Sequence, residues 1–160
     1  MIRELAEYEK LTDVFVATEE KIGTALFGED PAAEALLAFF GDRYAGFAIF
    51  FRNYSTFLAE SGIYLEDLYV KPELRGKGVG FALLSRVAQI AAERGCGRVE
   101  WGVLNWNEPS IQFYQRLGAV PMDEWTKYRL TGEPLRRLAA RTTMPSLVST
   151  RASSTTASQS

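Results

Sequence analysis

Apolar residues recur along this chain with two spacings, which separate predicted helices from predicted strands. Apolar residues at every third or fourth position give a helix one apolar face, whereas short runs of branched and aromatic residues indicate buried strands. Helices are predicted over residues 2–8, from Thr18 to near Gly28, from Val79 to Gly95, over 107–117 and over 134–140. Strands are predicted over residues 35–40, 44–52, 63–70, 98–104 and 125–130.

The order of these elements predicts the fold class. Gly41-Asp42 joins the first two strands as a hairpin, and residues 53–62 are predicted to form a loop. Later strands alternate with helices, which requires crossover connections, so the sequence predicts an α/β domain with a mixed sheet. This domain is expected over residues 1–140, and residues 141–160, rich in serine and threonine, are expected to be a disordered tail.

The segment Arg75-Gly76-Lys77-Gly78-Val79-Gly80, here called the glycine loop, follows a predicted strand and begins a predicted helix. Its glycines let the backbone approach a ligand, and a helix start offers unpaired N–H groups to an anion. Two basic side chains add charge, so the loop is typical of a diphosphate site. Its spacing differs from the nucleotide-hydrolysing and dinucleotide-binding loops. A glycine-rich turn with solvated basic residues is the alternative interpretation.

Composition narrows the chemistry. The formal net charge of −2 argues against nucleic-acid binding and is compatible with a cationic substrate. No apolar run reaches membrane-span length and no secretory signal begins the chain, so a cytoplasmic protein without membrane contact is expected. There is no histidine, and the one cysteine, Cys96, is interpreted as a small apolar filler. Acid–base chemistry is therefore left to carboxylates, tyrosines, lysines or water, and no metal is expected.

Four segments together resemble the GCN5-related N-acetyltransferase superfamily, and closely its diamine (spermidine/spermine) N-acetyltransferase branch. They are residues 4–9 (ELAEYE), 64–70 (YLEDLYV), the glycine loop, and 106–114 (WNEPSIQFY). The resemblance covers about residues 2–138. It implies a mostly antiparallel sheet flanked by helices, and direct transfer of an acetyl group from acetyl-CoA to a primary amine without an acetyl-enzyme. A homodimer is expected from the same resemblance.

The resemblance also implies roles for individual residues. For acetyl-CoA, main-chain groups of the strand, the glycine loop and the later helix start are expected to bind: Leu68, Tyr69, Val70, Arg75, Gly76, Lys77, Gly78, Val79, Gly80, Phe81, Asn107, Glu108, Pro109, Ser110 and Tyr114. For the amine, the expected contacts are Tyr8, Glu9, Glu66, Glu100, Trp101 and Gly102.

Two of these residues are expected to be catalytic. Glu66 would bind the ammonium group and help remove its proton, and Tyr114 would protonate the departing thiolate. Glu9, Glu66 and Glu100 could together form a ladder of acids for a polycation. The alternative interpretations are a Glu66 side chain solvated at a strand edge, a Tyr114 ring that packs with its hydroxyl at the surface, and a Trp101 ring in the core.

Two departures from the family pattern stand out. The family's first strand and the beginning of its first helix precede the segment at residues 4–9, and this chain starts inside that helix. The first strand is therefore expected to be missing, which would leave an exposed sheet edge. A late substrate-side glutamate falls on Thr126, with Asp123 and Glu124 close by. The amine therefore stays open between a polyamine, a diamine and an amino acid side chain, and a non-catalytic acyl-CoA-binding protein is a further alternative.

Overall fold

The computed structural model describes residues 1–141, so the predicted tail, apart from Arg141, lies outside the described residues. The helices are α1 (Ile2–Tyr8), α2 (Glu19–Phe27), α3 (Val79–Glu93), α4 (Glu108–Arg116) and α5 (Gly132–Ala140). The strands are β1 (Glu34–Phe40), β2 (Arg43–Ser55), β3 (Glu60–Val70) and β4 (Arg98–Trp101). The chain divides into two compact units, Met1–Gly118 and a second that begins at Ala119.

The described sheet has the order β1-β2-β3-β4, and it confirms the predicted mixed α/β fold. The first three strands are antiparallel, while β4 returns through α3 to lie parallel to β3. The predicted loop over residues 53–62 is wrong, since β2 runs to Ser55 and β3 begins at Glu60. The hydrogen bonds of a ladder are made by the backbone, so polar side chains do not prevent pairing. The ladder continues to the Ser55–Glu60 pair, and only residues 56–59 form the turn.

One face of the sheet carries the main core. Leu83 and Val87 of α3 pack against Phe50 of β2 and against Ile63 and Leu65 of β3. The helical spacing that predicted α3 is the spacing that places these side chains on one side. The opposite face is covered by α1, where Leu5 meets Phe47 and Tyr69 in a smaller cluster. The sheet is thus held between two helices, and both contribute to the cavity described below.

A bulge in β3 changes which side chains reach each face. Ile49 and Phe50 of β2 pair with Asp67 and Leu65, so Glu66 is an extra residue without a partner in β2. Leu65 packs on the α3 side, but after the bulge Leu68 does so as well, while Tyr69 packs on the α1 side. Such a bulge bends a strand and re-aims its side chains.

The later predictions are confirmed in part. Helix α4 ends before Gly118, whose φ of +85° suits glycine at that position. The strand predicted over 98–104 stops at Trp101. The strand predicted over 125–130 is wrong, because that segment forms no strand and its Trp125 and Tyr128 are exposed. Alternating aromatic residues make a strand only where a neighbouring strand completes the hydrogen bonds.

Strand β1 lies at one edge of the described sheet, as expected. Leu37, Phe39 and Phe40 on this strand are about half exposed. Within residues 1–141, no helix is long and apolar enough to cross a membrane.

Candidate active site

The candidate site begins where the two parallel strands part. Strands β3 and β4 pair only from Gly62–Arg98 to Leu65–Trp101, although β3 continues to Val70 beside β2. The separation coincides with the Glu66 bulge. Beyond it, the main-chain groups of β3 that face away from β2 have no ladder partner in β4. A cavity of about 440 Å³ lies against this part of β3, and α1, the glycine loop and α4 complete its walls.

The glycine loop forms one end of this cavity. Gly76 and Gly78 have φ values of +72° and +83°, in the left-handed region where other residues are strained. Gly78 is the N-cap of α3, and no side chain caps that helix. The first N–H groups of α3 are therefore open to a ligand, and the helix dipole favours an anion there. At Gly80 an added Cβ would meet Val70 at 3.5 Å, an ordinary contact distance, so this position does not require glycine for space. A diphosphate fits this arrangement.

Most of the predicted site residues line the cavity. They are Tyr8, Glu9, Glu66, Leu68, Tyr69, Val70, Arg75, Gly76, Gly78, Gly80, Phe81, Gly102, Asn107, Pro109, Ser110 and Tyr114. Five others do not line it: Lys77, Val79, Glu100, Trp101 and Glu108. Val79 is buried in the core below the loop. The Lys77 ammonium lies 5.5 Å from the Phe40 ring centre, and Glu108 accepts a hydrogen bond from Gln112.

Asp67 also lines the cavity, and the sequence did not single it out. No donor or cation among residues 1–141 contacts its carboxylate. Burial, followed by the charges of Glu66 and Glu9, raises the pKa of Asp67 to about 6. Burial also raises the pKa of Glu9. A carboxyl group with a pKa near neutrality can accept a proton from an amine at physiological pH. The L-E-D order was visible in the sequence, but the bulge that buries its last acid was not.

Glu100, the third member of the expected acid ladder, is separate from the other two. Its Oε2 lies 2.8 Å from Arg98 Nε and accepts a 2.8 Å hydrogen bond from Asn53. Burial acts to raise the pKa of Glu100, but the contacts from Arg98 and Asn53 outweigh it and hold the pKa below its usual value. The described structure therefore brings Glu9 and Glu66 to the cavity together with Asp67, and leaves Glu100 in an ion pair.

Tyr114 projects from α4 into the same cavity. Its ring centre lies 4.9 Å from that of Trp101 and 5.3 Å from that of Phe113, so the ring is held by packing. Trp101 thus supports Tyr114 without lining the cavity itself. Burial and the charge of Glu9 raise the pKa of Tyr114 to about 12, which keeps the phenol protonated at neutral pH. Within the described residues, no group hydrogen-bonds its hydroxyl, which is free to donate to a ligand.

Comparison with known proteins agrees with this geometry. Residues 4–119 match the Acetyltransferase (GNAT) family. The chain belongs to this family. It is accordingly an acetyl-transferring enzyme with the fold that the sequence predicted.

Several relatives resemble the chain over most of its length. It is 40% identical over 152 residues to a thialysine N-epsilon-acetyltransferase of Sus scrofa, covering 88% of this chain and 89% of that protein. It is 33% identical over 186 residues to the L-ornithine N5-acetyltransferase NATA1 of Arabidopsis thaliana, covering 86% and 80%. Among solved structures, an integron cassette protein from V. cholerae matches with a TM-score of 0.72 and 30% identity, covering 85% of each chain.

Proposed function

We propose that this enzyme acetylates a primary amine of a small aliphatic diamine or polyamine, with acetyl-CoA as donor and both substrates bound at once. The observation that carries the proposal is the set of acids Glu9, Glu66 and Asp67 in one cavity with Tyr114, next to the glycine loop. Carboxylates without a protein cation attract an ammonium group, and a second amine on the same molecule can use a second acid.

Acetyl-CoA, which the family uses, supplies an activated acyl group and a thiol leaving group. In this chain the open N–H groups at the start of α3 would hold its diphosphate. Arg75, which also lines the cavity, would add positive charge. The main-chain groups of Tyr69 face β2, whereas those of Leu68 and Val70 face the opening and would hydrogen-bond its extended arm, as a strand would. The Val70 carbonyl already accepts a hydrogen bond from Arg75. Asn107, Pro109 and Ser110 at the start of α4 line the opposite wall.

The proton transfers then follow from the residue types. An alkylammonium ion has no lone pair, so an acid of the cavity must first take one of its protons, with Glu66 and Asp67 as the candidates. The freed nitrogen attacks the acyl carbon, and the carbon–sulfur bond breaks. Tyr114 gives its proton to the leaving sulfur, and the proton released by the new amide nitrogen can restore the phenol. Holding both substrates in one cavity supplies much of the rate enhancement.

A second candidate substrate is the side-chain amine of an amino acid. The names of the relatives from Sus scrofa and Arabidopsis thaliana, which act on thialysine and ornithine, favour it. Such a substrate also carries a carboxylate, which needs a cation. Arg75 and Arg116 both line the cavity and could supply one.

A thiol-release assay with acetyl-CoA tests the proposal. The panel is putrescine, spermidine, ornithine, lysine and thialysine, each at several concentrations. Higher kcat/KM for spermidine or putrescine supports the diamine assignment, and higher kcat/KM for thialysine or ornithine supports the second candidate. If coenzyme A binds but no amine of the panel releases thiol, both the diamine assignment and the second candidate are wrong.

Tyr114→Phe tests the leaving-group step. Since the hydroxyl acts only as the thiolate departs, kcat should fall on the order of 10²- to 10³-fold. The dissociation constant of acetyl-CoA, measured by calorimetry, should change less than about 3-fold. Tyr54→Phe, on the exposed end of β2, is the matched control for removing a hydroxyl. Equal turnover by Tyr114→Phe and the control would remove Tyr114 from the mechanism.

A further inference from the structure

Tyr8, at the end of α1, contacts two other walls of the cavity. Its hydroxyl donates a 3.0 Å hydrogen bond to Oδ1 of Asn107, at the start of α4 and 99 residues away in sequence. The Arg75 guanidinium of the glycine loop lies 4.5 Å from the centre of its ring. Tyr8 therefore touches both the loop and the helix that carries Tyr114. The sequence suggested a substrate contact for Tyr8, whereas these bonds are to the protein itself.

Asn107 is an unusual N-cap. Asparagine in this position normally accepts a hydrogen bond from the first turn of its own helix. Here its side chain makes no such bond, and its oxygen accepts the Tyr8 hydroxyl instead. Asn107 is only 6% exposed, so an unpaired amide oxygen there would be costly. The contact with Tyr8 replaces the cap, and it fixes the end of α1 against the beginning of α4.

The turn after Tyr8 is closed by two main-chain hydrogen bonds. The N–H of Lys10 bonds to the Glu7 carbonyl, and the N–H of Leu11 to the Ala6 carbonyl, which is the Schellman pattern. Lys10 takes a φ of +59° to close this turn. Glu9, the residue between Tyr8 and Lys10, therefore has a fixed position relative to Tyr8. Because Glu9 lines the cavity and its charge acts on Asp67 and Tyr114, the position of α1 affects the acids of the site.

Arg75 connects the same contact to the glycine loop. Its Nε donates a 3.1 Å hydrogen bond to the Val70 carbonyl, and its guanidinium stacks on Tyr8. A diphosphate bound at the loop would hold Arg75 in place, which would favour the stacked position of the Tyr8 ring. The Arg75 side chain therefore links the glycine loop, at one end of the cavity, to α1 through the Tyr8 ring.

We infer that Tyr8 is a positioning residue, which ties α1 to α4 and to the glycine loop and so couples coenzyme binding to amine binding. This inference rests on the proposed function. Tyr8 acts through Glu9 and Asn107 and takes no part in bond making. When the loop is occupied, the contacts of Tyr8 with Arg75 and Asn107 hold α1 and Glu9 beside the amine; without the Tyr8 hydroxyl, the coenzyme binds but Glu9 is positioned less well.

Tyr8→Phe tests the coupling because it keeps the stacking ring and removes the hydroxyl. The KM for the amine should rise about 3- to 10-fold with a smaller change in kcat, as expected for one lost part-buried hydrogen bond. The dissociation constant of free coenzyme A should change less than about 2-fold, but the tightening of coenzyme A caused by saturating amine should be reduced, because only the tie to Asn107 is removed and the Arg75 stack stays. Tyr54→Phe, far from α1, is the control and should behave as the wild type.

A double-mutant cycle with Asn107 separates the tether from a general loss of stability. Tyr8→Phe should lower the unfolding midpoint in the wild type and in Asn107→Asp, which keeps the acceptor oxygen, and should have no further effect in Asn107→Ala. Additive effects in all backgrounds would overturn the inference, as would an unchanged amine KM. The thermal cycle needs no substrate, so its result stands even if every amine in the panel is refused and the proposed function fails.

Discussion

Asp67 and Glu100 are acids on neighbouring parallel strands, and they are treated in opposite ways. Glu100 on β4 lies 2.8 Å from both Arg98 and Asn53, and its pKa is lowered. Asp67 on β3 has no cation or donor partner among the described residues, and its pKa is raised to about 6. Glu100 lies in the part of β4 that pairs with β3, whereas Asp67 lies where the two strands have parted.

This difference distinguishes a carboxylate that stabilises the fold from one that is available to a ligand. A partly buried carboxylate with a protein partner is already satisfied and can bind little else. A partly buried carboxylate without one costs stability, which is the expected state of a group that awaits a cationic ligand. The two acids on neighbouring strands therefore differ because Glu100 lies within the β3–β4 ladder and Asp67 lies beyond its last pair, Leu65–Trp101.

The largest expected effect is on catalysis. Asp67→Asn should lower kcat/KM for the amine on the order of 10²-fold, because it removes a partnerless proton acceptor. Glu66→Gln should weaken amine use and shift the pH profile as well, and Glu100→Gln should change kcat/KM less than about 3-fold since its partners hold it outside the cavity. The assay is kcat/KM against pH for the three variants. A Glu100→Gln loss as large as that of Asp67→Asn would remove the distinction.

The next effect of Asp67→Asn is on the free energy of unfolding, and there the substitution is favourable although it lowers activity. The pKa of Asp67 is raised from 3.8 to about 6 in the folded chain, so folding favours its protonated form. Its contribution to stability is complete below the unfolded pKa and is lost as pH rises through the folded pKa. Asp67→Asn should therefore stabilise the protein above that range, by at most about 3 kcal/mol, and have almost no effect below about pH 4.

Chemical denaturation of Asp67→Asn and wild type at acidic and slightly alkaline pH checks this. Glu100→Gln is the matched comparison: its folded pKa is lowered, so the Glu100 carboxylate contributes stability above its unfolded pKa that disappears in acid. A stabilised Glu100→Gln at high pH, or a destabilised Asp67→Asn there, would contradict the assignment of the two acids.

The smallest effect concerns two strained residues, one in the turn between β2 and β3 and one just after α1. Ala59, in the β2–β3 turn, and Lys10, after α1, both have positive φ, at 54° and 59°. Ala59→Gly should raise stability by about 0.5–1 kcal/mol. Lys10→Gly should gain less, because it also removes the ammonium that lies 5.5 Å from the Trp106 ring centre. Thermal unfolding measures both, and equal gains would mean that the Trp106 contact contributes nothing.

Local signals in the sequence were enough for much of the fold and part of the site. The helix predicted to begin at Thr18 is confirmed, since Thr18 is the N-cap of α2 and its hydroxyl accepts a hydrogen bond from the Lys21 N–H. The glycine loop was predicted to lie between a strand and a helix, and it does, because glycine spacing and helical periodicity act over a few residues. Glu9 and Tyr114 were chosen from the family resemblance, and both line the cavity.

Features that depend on contacts between distant segments could not be predicted. The bulge at Glu66 exists because β2 and β3 slip by one residue, and no pattern within β3 records it. The burial of Asp67 follows from that bulge. The Tyr8–Asn107 bond joins residues 99 positions apart. The segment over 125–130 has the aromatic alternation of a strand but forms none, because periodicity says nothing about whether a partner exists.

The early end of the β3–β4 ladder has a consequence for how this site can change with time. The groups of residues 68–70 that face the opening are peptide N–H and C=O groups, which every amino acid except proline presents alike. On the proposed coenzyme binding, substitutions of these side chains would leave the hydrogen bonds to the coenzyme arm intact, whereas a proline there would delete a donor. The acids of the cavity could then change the choice of amine without loss of the acetyl donor.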